Sequence, residues 1–539
     1  MIKRQLDKFL IATILVVILF IIFTVPHLFL PCYWDETCPF SVAIYHLYNN
    51  GISMMPNSIP SEFSRGHPLL FHFLDASWMN LFGGTLIAAK TFPLLLSVIL
   101  IFTIFFFGRE FFSSEVGFIS AFLFTLQSVF LGQASFLLLE VQLALFTIAT
   151  IYAFLKEKPV FYIIFGTLLL LTKETGLTVI VSIGLWQIIK SIMIRKELPV
   201  MKNISNIIIS GIPIALTAIY FIIQKIQNGW FFFPIHVGFI SFKEADIISK
   251  IITVLNYIFL KQGRIYLSLL FVISFIILIV SNKQWLTKKQ KELLIITGIY
   301  LFIFIAFCSV NFLSNRYVLC AIPPVIIIFS GIIFEGLKEK KQILIVCIGV
   351  LSLSFVYHDY NYAIRSDGDD NLGFINEVKV HQEVVKYCET NNLYDSTIYT
   401  HFLMWSNLIY PSAGYLSDKN HIFTKIAYKM DDNVKYCIFS NIEYESAFDD
   451  AKTNYNLQLV KRFEKNMAWC EIYKVIGPVK VKPLPNDYEK RIQHFISCIR
   501  ADEKWLNSVA EKAKQRNIIL DSMIRLDAIY MVEQELAKK

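Results

Sequence analysis

Two adjacent acids, Asp35 and Glu36, stand in PCYWDETCPF directly after the first long apolar stretch, between Cys32 and Cys38. A carboxylate near neutral reactivity can take a proton from a hydroxyl, and a second acid close by, or partial burial, raises its pKa toward a useful value. The same pair is equally consistent with two solvated loop charges. Further on come Arg65 and His67 in RGHPLL, Glu140 in FLLLEVQL, Lys173 and Glu174 in TKETGL, His236 in GWFFFPIHVGF, Arg264, and Arg316 beside Tyr317 in RYVLCAIPP. Each has a plainer alternative: Lys173 and Glu174 as snorkelling caps, Arg316 and Tyr317 as an interfacial anchor, His236 as a loop histidine rather than a metal ligand. Glu140 is the hardest to dismiss, because its apolar neighbours leave its charge needing a partner. Gathered at one place, these groups suit an anionic lipid headgroup and acid/base chemistry, with Arg, Lys or His stabilising a departing phosphate.

Whether they gather depends on the elements that carry them. The 539 residues are 55% hydrophobic and 17% charged, with 48 Phe, which indicates a polytopic membrane protein. The net charge of +8 does not point to nucleic acid, since the Lys and Arg fall mostly in short loops between apolar runs. The N-terminal run after MIKRQLDKF is long enough to span a bilayer and lacks a small-residue cleavage site, so an uncleaved first helix is expected. Ten further spans are expected at roughly 87–107, 115–132, 138–155, 159–172, 175–193, 204–225, 263–281, 292–310, 318–337 and 342–357. Segment 68–82, with His72 and Asp75, is too short and is read as re-entrant or interfacial.

Basic residues orient this threading. With the N-terminus inside, the inner loops hold Arg109; Lys156 and Lys158; Lys190, Arg195, Lys196 and Lys202; Lys283, Lys288, Lys289 and Lys291; and Lys338, Lys340 and Lys341. Counting 68–82 as a span would move the later clusters outside. The outer face then receives loops 31–86, 133–137, 172–174, 226–262 and 309–317, and everything after about 358. All the candidate residues named above lie on that face.

The expected fold is mainly α. It has a polytopic helical membrane domain (1–358) of about eleven spans with juxtamembrane helices in the first outer loop, a small outer-face α/β soluble domain (375–478), and a helical C-terminal tail (487–539) read as a helical pair. Strands are expected in STIYTHF, VKYCIFS, LQLVKRF and AWCEIYKV. A bond between Cys32 and Cys38 would brace the loop holding Asp35, and two independent thiols fit the spacing equally well. Cys308, Cys320 and Cys347 read as small apolar residues.

In order, W-DE, RGHPLL and RYVLCAIPP resemble the GT-C superfamily of integral-membrane glycosyltransferases, with the protein O-mannosyltransferase-like, aminoarabinose-transferase-like and Rgt-like branches nearest. Between them, Phe82-Gly83, Lys90 with Pro93, FFFGREFF, Glu140 and TKETGL follow the same order, so the resemblance covers roughly residues 8–357. It implies a multi-pass protein of the cytoplasmic (inner) membrane, with its active site and C-terminal domain on the outer, periplasmic face. Its implied partners are membrane lipids, a polyprenyl-phosphate-linked sugar donor, and a glycan, lipid or protein acceptor, with no nucleic acid. It further implies Asp35 as general base with Glu36 in support, Arg65, His67, Lys173, Arg316 and Tyr317 at the donor phosphate, and Glu140 as a pocket acid. No cofactor is expected to be required. Where the aminoarabinose branch carries a first-loop acid able to serve a divalent metal, this chain reads Arg65-Gly66-His67-Pro68-Leu69. The competing readings are a transporter or flippase of lipid-linked sugars, whose polar residues would be spread through mid-membrane broken helices, and a non-catalytic envelope assembly subunit.

Overall fold

The computed structural model describes residues 7–193, 200–281, 286–365, 368–442, 446–478, 487–516 and 518–537. Arg195, Lys196, Lys283 and most of the stretch between the expected soluble domain and helical tail lie outside them. The chain divides into two compact units, Met1–Asp449 with Leu457–Val475, and Asp450–Asn456 with Ile476–Lys539.

In the first unit, seven helices are long and apolar enough to cross a membrane: Lys8–Phe29, Leu86–Phe111, Glu174–Met193, Ile204–Asn228, Lys288–Val310, Asn315–Leu337 and Lys341–Ile364. Glu244–Phe259 and Arg264–Val280 form one further pair bent by 77°, and Ser114–Thr125, Glu140–Leu155 and Pro159–Thr172 are shorter apolar helices. All of these except Glu244–Phe259 fall on the apolar segments anticipated from sequence. Helix starts carry side-chain caps that occupy otherwise orphaned amides: Asp7 accepts from Phe9 N at 3.0 Å, Thr85 from Ala88 N at 3.1 Å, and Thr287 forms a capping box with Gln290. Asn315–Leu337 is the most enclosed of the spans, whereas Ile204–Asn228 and Lys341–Ile364 present most of their surface outward, as lipid-facing helices do. Segment 68–82 is a helix, Leu70–Phe82, and the long loop 226–262 contains the amphipathic helix Glu244–Phe259.

After the last span, the helix Phe374–Thr390 precedes a five-stranded sheet. Its strands are β1 Ile398–Tyr399, β2 Ile426–Ala427, β3 Tyr436–Ser440, β4 Tyr455–Lys465 and β5 Ala468–Pro478, in the order β2-β1-β3-β5-β4. β1 is parallel to β2 and β3, and β3 runs antiparallel to β5 with Ile438 opposite Ile472. The short β2 had no alternating apolar signal in the sequence. Residues 411–415 brace the segment after the first helix: Cys32 N donates to Ala413 O at 2.8 Å, Tyr415 Oη donates to Cys32 O at 2.9 Å, and Ser41 Oγ meets Ser412 Oγ at 3.0 Å.

Among the described residues, the C-terminal tail in the second unit forms the three helices Tyr488–Ala501, Glu503–Arg516 and Leu520–Ala537, not a pair. They share a core of Ile492, Ile499, Val509, Ala513, Met523, Ile524, Ala528 and Val532. The third helix is needed because an isolated helical pair of this polarity would leave one of those apolar stripes in water.

Candidate functional site

The site begins with a three-residue 3-10 turn, Trp34–Glu36. Trp34 adopts a left-handed φ of 53°, and this twist sends consecutive side chains to opposite sides of the loop. Glu36 turns inward and is fully buried. Its carboxylate accepts from Tyr33 N at 3.0 Å and Leu137 N at 3.1 Å and pairs with Lys90 Nζ at 3.1 Å. Lys90 is itself 1% exposed and also donates to Pro31 O. Burial pushes the Glu36 carboxyl up, against the pull of Lys90 and the two amides. This acid ties the first loop to the segment leading into Glu140 and to the helix Leu86–Phe111.

Asp35 turns the other way, onto a cavity of about 200 Å³. The same cavity is lined by Arg65, His67, Glu140, Lys173, His236, Arg316 and Tyr317, with Trp34, Phe40, Phe239 and Phe312 among its apolar walls. The structure therefore brings together eight of the residues singled out in the sequence. Glu36 is not on the cavity wall.

Arg316 is the hub of this cavity. One Nη group pairs with Asp35 Oδ2, the other with Asp369 Oδ2, and Nε lies 3.5 Å from Glu140 Oε1. Glu140 in turn accepts from Lys173 Nζ at 3.1 Å, while its Oε2 is buried with no hydrogen-bond partner among the described residues. Lys173 Nζ sits 3.6 Å above the Tyr317 ring, a cation–π contact that fixes the ammonium at the cavity wall. Three carboxylates thus face two cations, all close to fully buried except Asp35, whose side chain is 30% exposed. Such a planar guanidinium fork can exchange one oxyanion for another without moving its stem.

A second layer of basic groups lies opposite. His67 Nδ1 is 2.8 Å from Glu174 Oε2, and its ring is 5.1 Å from that of His236. Burial, then the charge of His67, pulls His236 down to about 4, so it is a neutral imidazole at pH 7. Arg65 and Gly66 both have left-handed φ, 51° and 70°. Glycine is required at 66, since a Cβ there would stand 2.5 Å from Phe233 Cβ and 3.0 Å from the Trp230 ring. The basic loop is thereby pressed against the segment that carries His236.

Across the wall formed by His67, Lys173, His236, Phe239, Phe312 and Tyr317 lies an adjoining cavity of about 310 Å³. Phe232, Phe233, Val237, Ile240 and Phe307 make it largely apolar. A charged chamber and a hydrocarbon chamber meet at Lys173 and the two histidines.

Of the two states that the spacing left open for Cys32 and Cys38, the structure has the free thiols. Cys32 is wholly buried with its Sγ directed at Ser412 O, 3.8 Å away, so the bracing comes from hydrogen bonds to residues 411–415. Asp369 was not singled out, although the acidic GDDN run just past the last span was a usable signal. Among the described residues, no group of three or more His, Cys, Asp or Glu is arranged to hold a metal ion. The space between Asp35, Glu140 and Asp369 is taken by Arg316.

No protein-family model matches the sequence, and no curated protein matches it. Solved structures do. ArnT from Cupriavidus metallidurans bound to undecaprenyl phosphate aligns over 87% of this chain and 97% of its own, with a TM-score of 0.53 and 11% identity. The fold is GT-C. The apo form of the same ArnT covers 85% of this chain and 97% of its own, with a TM-score of 0.52 at 11% identity. An Archaeoglobus fulgidus oligosaccharyltransferase in complex with Zn and sulfate covers 83% of this chain and 71% of its own at a TM-score of 0.47 and 11% identity. The GT-C resemblance of the ordered motifs and the fold of the chain agree, and the chain is a multi-pass membrane protein.

Proposed function

We propose that this GT-C protein transfers a sugar from a polyprenyl-phosphate donor to an envelope acceptor at the outer face of the cytoplasmic membrane. The observation that carries this reading is the pairing of chambers. A cationic and carboxylate-lined cavity adjoins an apolar one through Lys173, His67 and His236, which is the shape of a phosphate with a hydrocarbon chain attached. The likeness in fold to an ArnT bound to undecaprenyl phosphate supports the same assignment.

In this mechanism Asp35 takes the proton of an acceptor hydroxyl as its oxygen attacks the anomeric carbon. The bond from that carbon to the phosphate oxygen breaks with its electron pair, and polyprenyl phosphate leaves with the charge held by Arg65, His67, Lys173 and Arg316. Attack opposite the leaving group inverts the anomeric centre, and a good leaving group makes a glycosyl-enzyme unnecessary. Arg316 links the two events. While its Nη group rests on Asp35 Oδ2, that oxygen is occupied. A donor phosphate competes for the fork, leaves Arg316 anchored on Asp369, and frees the Asp35 oxygen to meet the acceptor hydroxyl. Glu36 acts through position, not contact, by holding the turn that aims Asp35. Glu140 fixes Lys173 and Arg316 at the cavity wall.

Comparing the lipids and glycans of a deletion strain with its parent by mass spectrometry tests this reading. The expected result is one missing sugar with accumulation of its polyprenyl-phosphate donor. The same missing sugar with the donor trapped on the inner leaflet would instead identify a flippase.

A further inference from the structure

A third cavity, of about 450 Å³, opens between the first helix, the helix Ser114–Thr125 and the last membrane helix Lys341–Ile364. Its walls include Leu19, Phe20, Phe23, Phe122, Val356 and Leu372. Leu19 and Val356 are exposed at 65% and 51%, so the groove is open along the side of the helices that faces lipid. From Val16 to Phe23, and from Val356 to Ala363, it follows each helix for about 10 Å, all within the outer halves of those helices under the basic-residue threading.

One carboxylate lines this groove. Asp359 accepts a hydrogen bond from Ser128 and shares the wall with the hydroxyl-bearing Thr125 and Tyr360. No Lys, Arg or His is on the wall. Arg264 donates to Gln127, the neighbour of Ser128, and to Gln262 without reaching the groove. This polarity is the reverse of the chamber at Lys173. A phosphate head would meet a carboxylate here, whereas a neutral hydroxyl-bearing head would find an acceptor for its proton. One lining residue of the groove also lies close to the reaction centre. Leu372 is three residues from Asp369, the partner of Arg316, and three residues reach at most about 11 Å.

Resting on the proposed transfer from a polyprenyl-phosphate donor, we infer that this groove takes the hydrocarbon chain of the acceptor, and that the acceptor is a lipid with a neutral, hydroxyl-bearing head. Donor and acceptor then enter from the bilayer by separate grooves of opposite polarity, which keeps the anionic donor out of the acceptor's place.

The test uses the full chain in phosphatidylcholine vesicles and a hexadecyl glucoside carrying a diazirine in its chain. Light-induced labelling, mapped by peptide mass spectrometry, is expected on 16–23 and 356–363. Unlabelled hexadecyl glucoside should displace it at least tenfold better than a phosphatidylglycerol of equal chain length. Ala363→Trp, which fills the groove, should remove the labelling. Asp359→Asn should keep it but abolish the preference over phosphatidylglycerol, so the inference stays testable if the tryptophan variant fails to fold. Equal displacement by both lipids would show bulk membrane lipid in the groove and overturn the inference, as would labelling confined to other segments. Sugar transfer to octyl and hexadecyl glucosides is measured in parallel. Transfer whose KM ignores chain length overturns the acceptor groove but leaves the proposed function standing. Selective labelling in a protein that transfers no sugar to any membrane acceptor overturns that function and, with it, the groove's assignment to an acceptor.

Discussion

The two sides of the Trp34–Glu36 turn are chemically opposite, although their acids are neighbours in sequence. On one side Asp35, 30% exposed, faces a cavity and a guanidinium that can move to another anion. On the other, Glu36 is sealed against Lys90 and two backbone amides, with every strong partner inside the protein. A carboxylate with an exchangeable partner can do chemistry, whereas one whose partners are all fixed can only hold shape. The left-handed Trp34 is what divides the pair.

Asp35→Asn breaks the comparison on its chemical side. The amide keeps the volume and cannot accept the acceptor's proton, so kcat for sugar transfer in proteoliposomes should fall by about 10²–10⁴-fold. Donor binding and the unfolding midpoint should stay close to those of the parent. Near-normal turnover would remove Asp35 as the base. On the structural side, Lys90→Met strands Glu36 as an unpaired buried acid, and loss of one partner of such a pair costs about 3–5 kcal/mol. The midpoint of thermal unfolding should drop sharply. The double variant Lys90→Met/Glu36→Leu should recover much of that stability but little of the rate, because the turn would no longer be aimed. Recovery of both would show that Glu36 does not position Asp35.

Much of this arrangement could be read from the chain, and the reason is the membrane. Apolar length and the placement of Lys and Arg fix the threading, and the threading alone put Asp35, Arg65, Glu140 and Arg316 on one face. What failed to show was anything decided by partners distant in sequence. Glu36 and Asp35 are equivalent letters until Lys90 and the amide of Leu137 close on one of them. Asp369 gains its role only when the segment after the last span folds back onto Arg316. Cys32 and Cys38 have a spacing that permits a bond, but the loop turns Cys32 toward residue 412. The helix Glu244–Phe259 was hidden inside a loop because its apolar face is one-sided, too weak for a span and too long for a turn.

The shared partner Arg316 allows a sharper distinction. Arg316→Lys keeps one positive charge and loses the fork, so it cannot serve Asp369 and a phosphate together. Donor KM should rise by about 10–100-fold, with a smaller fall in kcat, when initial rates are measured against donor concentration. Asp369→Asn should move the same constant in the same direction. Unchanged donor dependence in both would take Arg316 away from the phosphate.

The smallest effect lies behind the cavity wall. Phe40, which lines the cavity, stacks on His72 at 5.2 Å, and both nitrogens of that fully buried ring lack hydrogen-bond partners among the described residues. Burial, with a minor push from His67, pulls His72 down to about 3. A histidine lowered from 6.5 contributes stability that is complete above pH 6.5 and is lost as the pH falls toward 3, because the unfolded chain takes up the proton first. Asp75, on the same helix, is raised well above its ordinary value by burial and the nearby Glu36, so its contribution has the opposite sign and fades as the pH rises. His72→Phe keeps the stack and Asp75 but removes the titrating ring. Between pH 7 and 5.5 the parent should lose about 1 kcal/mol more than this variant, read as a steeper decline of its unfolding midpoint. Parallel declines would mean that the ring already carries its proton in the folded protein, and that the wall behind Phe40 belongs with the charged side of the turn.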